Sequence, residues 1–276
     1  MPHAHSASVA HPIQPVLFVP HGAGPCFFMD WSPADTWDAM AGFLRGVAAT
    51  LPARPQAIVL VSGHWQTPGF SVTAAARPGL IYDYSGFPAH TYQLDYAAPG
   101  DAALAERIAA LIARTGLRTD VDAQRGWDHG VFIPLKLMFP DADIPVVQLS
   151  LRQDLDPQAH LAMGAALAAL RAEGVLIIGS GMSFHNMRGY GDARYTAPSQ
   201  AFDDWLTAAL QAEPAQRRAA LRHWAQAPFA HDCHPAGHEE HLMPLLVAAG
   251  AAGQDPGRKV YSQQVMKTQL SAFRFG

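Results

Sequence analysis

A single α/β domain, with a mostly parallel central sheet flanked by helices, follows from two features of the sequence. Short β-branched runs alternate with longer Ala- and Leu-rich stretches along the whole chain. Three of the short runs are almost continuously apolar, the pattern of strands covered on both faces. The length of 276 residues suffices to bury roughly 70–75% of the unfolded surface without disulfides. No internal repeat, low-complexity linker or shift in composition divides the chain.

Taken in order, strands are predicted over 16–19 (VLFV), 57–62 (AIVLVS), 70–74, 145–150 and 175–179 (VLIIG). Helices are predicted over 34–51, 101–115, 156–173, 199–212, 214–224 and 240–249. Asp101 after Pro99-Gly100 and Ser199 after Pro198 supply helix starts, and Gly116 and Gly174 supply stops. A further helix starts near His129, and Pro134 is expected in its first turn, where a missing N–H costs nothing. The stretch 82–100 is aromatic, punctuated by Gly and Pro and without period, and reads as an ordered loop over a site. Residues 1–12 are expected to form a mobile tail ahead of a catalytic domain over 13–276.

Composition excludes several function classes. Charged residues are 15% and apolar residues 49%, against about 25% charged in an average domain, so the chain is not a disordered or nucleic-acid-coating one. The net charge is −4 and the 19 Lys and Arg are scattered, so no basic patch invites nucleic acid. No run reaches the roughly 18 apolar residues of a membrane span, and MPHAHSASVAHPIQP lacks the parts of a signal peptide, so a cytoplasmic location is expected. Homo-oligomerisation is compatible with the sequence and not fixed by it. Cys26 and Cys233 are too few for a disulfide scaffold or a Cys-rich zinc module.

Against this background, 14 histidines stand out. His21 follows VLFVP, His64 follows AIVLVS and Gly63, and His185 follows VLIIG through SGMSF. Ligands of open α/β sheets bind outside the carboxyl ends of the strands, so these three converge if their strands are neighbours. His129 and His241 sit at helix starts, each followed by a proline, where the helix dipole favours neutral imidazole. His231, His234 and His238 read as a polar loop. A zinc site built from them with Cys233 fits no C-x-x-C or H-x-x-x-H spacing, and HEEH is not the zincin motif. His160 reads as a surface residue of its helix. Gly179-Ser180-Gly181 is no serine elbow and HGAG no phosphate loop, which disfavours a serine hydrolase or nucleotide enzyme. Tyr82, Tyr84, Phe87 and Tyr92 suit a flat aromatic guest, and Arg125 or Arg188 could pair with its carboxylate.

Eight ordered segments, VPHGAGP (19–25), VSGHW (61–65), YDYSGFP (82–88), YAAPG (96–100), GWDHGVFIPLKLMFP (126–140), IPVVQLS (144–150), GSGMSFHNM (179–187) and EEHLMPLLVAAGAAG (239–253), together resemble the class III extradiol ring-cleavage dioxygenases. The likeness is to the branch of 4,5-DOPA extradiol dioxygenase-like proteins. It implies a mononuclear metal held by His21, His64 and His241, with His238, Glu239 and Glu240 as alternatives at the third position. It also implies His185 as the acid/base and His129 as a contact to substrate or oxygen; the aromatic side chains of Tyr84 and Phe87 make them the expected substrate contacts. Fe(II) is the metal expected for activity on a substituted catechol with dioxygen, and Zn(II) can occupy the same imidazoles without redox chemistry. A zinc-dependent hydrolase using the same histidine pocket is the alternative reading.

Overall fold

The computed structural model describes residues 11–276. The expected tail falls outside the described residues up to position 10, and with it His3 and His5. Eight strands form one sheet: β1 (Val16–Pro20), β2 (Ala57–Thr67), β3 (Phe70–Thr73), β4 (Thr119–Asp122), β5 (Val146–Arg152), β6 (Val175–Gly181), β7 (Gly257–Val265) and β8 (Thr268–Phe275). The helices are α1 (Asp38–Gly46), α2 (Ala102–Ala113), α3 (His129–Met138), α4 (Pro157–Leu167), α5 (Thr196–Gln211), α6 (Pro214–Arg222), α7 (Ala230–Cys233) and α8 (Met243–Ala251).

The sheet order is β4-β3-β5-β2-β6-β1-β8-β7. Its centre, β5-β2-β6-β1, is parallel throughout, and the outer pairs β3/β5, β1/β8 and β8/β7 are antiparallel. The central strands are buried along most of their length, as their unbroken apolar runs require. The α/β fold with a mostly parallel sheet is therefore as expected. The strands leading to His21, His185 and His64 are the adjacent β1, β6 and β2, which is the condition for those side chains to meet.

All five predicted strands exist, but three more complete the sheet. In β7 (GRKVYSQQV) the buried Gly257, Tyr261 and Val265 recur every four residues among polar ones, a spacing that mimics a helix rather than a strand. In β8 the buried Thr268, Gln269 and Ser271 hide a core strand behind polar letters. Its backbone is bonded from outside the ladder, Gln269 N–H donating to Ser199 Oγ at 3.0 Å and Ser271 N–H to Ser183 Oγ at 2.9 Å.

Of the two helix starts expected, Asp101 caps α2, but α5 begins at Thr196 rather than at Ser199, because Pro198 is accommodated within its first turn. Asp101 accepts from Leu104 N–H and Asp156 from Gln158 N–H. Several details differ from expectation. The 34–51 helix narrows to α1 followed by a 3-10 turn at Ala48–Thr50, and the 156–173 helix tightens into a 3-10 turn after Leu167. Pro134 stands in the second turn of α3, not the first; the Gly130 carbonyl it cannot serve accepts instead from Ser180 Oγ at 2.5 Å. His160 is buried, because its ring packs edge-on to Phe70 while Nδ1–H donates to the Asp156 carbonyl and Nε2 accepts from Arg152 N–H. His234, expected in a polar loop, is likewise buried and bonded through Nε2 to the Ser183 carbonyl.

Candidate active site

Five imidazoles meet at the carboxyl ends of the central strands. His21 leaves β1, with its backbone N–H donating to the Gly181 carbonyl at 3.3 Å. His64 lies on β2 beyond its regular pairing, where the register with β5 shifts between Val61 and Gln66. His241 stands two residues ahead of α8, and its carbonyl accepts from Met182 N–H just after β6. That approach requires glycine on β6: a Cβ at Gly181 would stand 2.1 Å from the His241 carbonyl oxygen, and one at Gly179 2.2 Å from that of Pro244. Gly179-Ser180-Gly181, uninformative as a motif, is thus the floor on which His241 rests.

The rings of His21, His64 and His241 stand 4.7–5.2 Å apart by centroid. His129, the first residue of α3, joins them at 3.9 Å from His64 and 5.3 Å from His21. The side-chain donor atoms of His21, His64 and His129 lie within 4.8 Å of one another, as do those of His185, Glu240 and His241. The two groups touch where His64 Nε2 and His241 Nε2 approach to 3.2 Å.

In four of the rings a neighbour faces Nδ1 and leaves Nε2 turned to the common space. His21 Nδ1–H donates to the Gly22 carbonyl at 3.1 Å, and its Nε2 is buried with no partner among the described residues. His129 Nδ1–H donates to Asp83 at 2.8 Å, His241 Nδ1–H donates to Glu240 at 2.9 Å, and His64 Nδ1 lies 3.5 Å from the same Asp83. This is the outer arrangement that metal-bound imidazoles use. Two imidazole nitrogens sharing an ion at about 2.1 Å would sit about 3.0–3.4 Å apart, the spacing seen between His64 and His241. Facing lone pairs at that distance repel unless a proton or a cation lies between them, so the residues fit a metal ion.

The electrostatics agree. Burial and neighbouring imidazoles hold His21 and His241 well below the ordinary histidine value, and His64 falls to about 3, first through burial and then through His129. All three are therefore neutral, the form that offers a lone pair. Burial alone would raise Asp83, but the hydrogen bonds from His129 hold its carboxyl below the usual range. Burial pushes Glu240 up. His185 stacks on His241 at 3.4 Å with Nδ1 3.7 Å from Glu240. Burial lowers it to about 4, well under the ordinary imidazole value.

A cavity of about 270 Å³ opens onto these rings. Its walls beyond the histidines are almost wholly apolar, with Trp31, Trp37, Phe87 and Tyr190 joined by Met182, Met187 and Met266. Phe87 lines it directly; Tyr84 stands behind, 5.5 Å from Phe87 and 5.7 Å from His129, with its hydroxyl donating to the Thr91 carbonyl. Arg125 is turned away, paired with Asp128 and laid over Trp65. Arg188 and the exposed His231 and His238 border a separate polar hollow that meets the site at His185, Met187 and Glu240, and His238 also lines an open hollow shared with His64 and His241. Sequence reasoning left Asp83 without a role, although it lies inside the quoted YDYSGFP segment, and it missed Met266 because the hairpin carrying it was unforeseen.

The family described as the catalytic LigB subunit of aromatic ring-opening dioxygenase matches residues 15–274. The chain belongs to this family. Among curated relatives of this ring-opening dioxygenase, the 4,5-DOPA dioxygenase extradiol of Beta vulgaris is 44% identical, over 73% of this chain and 75% of that protein. The protein of the same name from Escherichia coli K12 is 37% identical over 88% and 87%, and dioxygenase tasH of Hapsidospora irregularis 37% identical over 98% and 88%. In structure, the crystal form of the Escherichia coli K12 protein JW3007 superposes with a TM-score of 0.74 at 31% identity, covering 95% of this chain and all of that one. Membership makes the chain an extradiol dioxygenase, an enzyme that takes a small aromatic molecule and dioxygen. No helix among the described residues is long and apolar enough to cross a membrane.

Proposed function

We propose that residues 13–276 form a non-haem Fe(II)-dependent extradiol dioxygenase that opens the ring of a substituted catechol, DOPA-like or related, to a semialdehyde. His21, His64 and His241 would hold the metal, and the observation that carries this choice is the 3.2 Å approach of the His64 and His241 Nε2 atoms beside the unpartnered Nε2 of His21. Fe(II), when bound, supplies the acidity that loosens a phenol proton and the electrons through which triplet dioxygen reacts.

The chain's own residues do the rest. His185 faces the cavity beside His241 and takes the phenol proton at its ring nitrogen; Glu240, 3.7 Å away, steadies the imidazolium so formed. His129, held by two hydrogen bonds to Asp83, presents Nε2 as a fixed contact for substrate or oxygen. Phe87, backed by Tyr84, and Trp31 and Trp37 seat the ring and keep water out. Charge and composition support a cytoplasmic enzyme with no nucleic-acid or membrane partner.

The test is anaerobic reconstitution with Fe(II) followed by oxygen uptake across substituted catechols. Stoichiometric oxygen consumption with a yellow product is expected. Turnover of an ester or amide by the zinc-loaded protein without oxygen would replace this reading by the hydrolytic one.

A further inference from the structure

The hairpin that closes the sheet ends on an unusual turn. Val265 pairs with Thr268, so the loop between β7 and β8 has two residues, Met266 and Lys267, with φ of +47° and +67°. Two left-handed residues in succession are the type I′ geometry, which Asn-Gly adopts freely and residues with longer side chains adopt against steric resistance. The turn is nevertheless pinned in place. The Met266 carbonyl accepts from Gly191 N–H at 2.7 Å and the Lys267 carbonyl from Thr196 Oγ1 at 2.8 Å. What this disfavoured turn accomplishes is to bring Met266 to the wall of the cavity over the histidines.

On the ring-cleavage reading above, we propose that Met266 is a specificity-determining residue, a thioether that contacts the substituent of the aromatic substrate and favours apolar, alkyl-type substituents. The ring must seat its two oxygens toward the imidazoles, so its substituent points away from them. On that outer side the cavity offers the exposed Met187 and Met266, with the buried Met182 deeper in. Thioethers are unbranched and polarisable, and they fit aromatic edges and alkyl chains of varied shape. A disfavoured backbone persists only where the surrounding structure holds it, and what is held here at the cavity wall is the Met266 side chain.

The double substitution Met266→Asn/Lys267→Gly separates the roles, since it relaxes the turn while removing the thioether. The Tm should rise by about 2 °C or more. The ratio of kcat/KM for 4-propylcatechol over catechol should fall about tenfold. A second reading needs no turnover: quenching of Trp31 and Trp37 by 4-propylphenol in the metal-free protein should need about tenfold more ligand, with phenol as the reference. If the double variant does not fold, Met266→Asn alone carries both measurements. Both ratios unchanged within twofold would overturn the proposal. A wild-type protein that cleaves no catechol would sink the ring-cleavage reading instead, while the phenol titration still decides the role of Met266.

Discussion

Asp83→Asn is the sharpest probe of the site, because it keeps the shape of the side chain and removes only the charge. One carboxylate there accepts from His129 N–H at 2.9 Å and His129 Nδ1–H at 2.8 Å, and lies 3.5 Å from His64 Nδ1. The hydrogen bonds that hold its carboxyl below the ordinary range show that the ionised form is the one the fold uses. Replacing a charge-assisted hydrogen bond by a neutral one forfeits about 1–2 kcal/mol. The substitution also turns an amide N–H toward at least one ring nitrogen, which weakens the basicity that the carboxylate lends to Nε2 across the imidazole. Felt at the metal, that is a rise of about 10–100-fold in the dissociation constant. Competition between the protein and a chelator of known affinity, run anaerobically with Fe(II), measures it directly. A variant that binds Fe(II) within twofold of wild type would refute the argument that Asp83 orients and polarises the cluster.

The choice of ligands is tested by comparing His241→Ala with His129→Ala: metal content should be lost in the first and retained in the second, and the reverse would assign the third position to His129. His185→Gln should keep its metal and lose about 10²–10⁴ in kcat, measured by oxygen uptake, whereas unchanged turnover would remove His185 from the chemistry. Away from the site, burial lowers His160 to about 4 from 6.5. The unfolded chain therefore binds the extra proton first, so stability is full above about pH 6.5 and is lost as pH falls toward 4, by about 2 kcal/mol at pH 5. Chemical denaturation of wild type and His160→Asn at pH 7 and 5 checks it, the variant being expected to show the smaller drop; equal drops would contradict the assignment.

The parts of this molecule that could be read from its letters are those where period and chemistry coincide. An apolar run ending in Gly-His or Pro-His places an imidazole at a strand end, and that is why His21, His64 and the strands before them were legible. The parts that resisted are those where a polar residue is buried by partners distant in sequence. Ser271 in β8 looks like solvent-facing chain, yet it is buried and its N–H is taken by Ser183, 88 residues away. His160 looks like the polar face of a helix until Phe70 and Arg152 are brought against it. Asp83 belongs to an aperiodic loop, so no spacing distinguishes it from Asp95 in the same loop, which merely pairs with Lys136 at the surface.

Strand β6 explains why five histidines so far apart in sequence share one space. It lies between β1 and β2, and its end is bonded on both sides by backbone alone: Gly181 carbonyl to His21 N–H, and Met182 N–H to His241 carbonyl. Its own continuation delivers His185, whose N–H donates to the Cys233 carbonyl. Three of the five imidazoles are thus positioned by main-chain contacts, which for His241 depend on the glycines of β6, while His64 and His129 face the Asp83 carboxylate. Loss of the His21 or His241 ring should therefore empty the site without loosening it, whereas loss of Asp83 should disturb two rings at once, on the loop side of the cavity that Phe87 also lines.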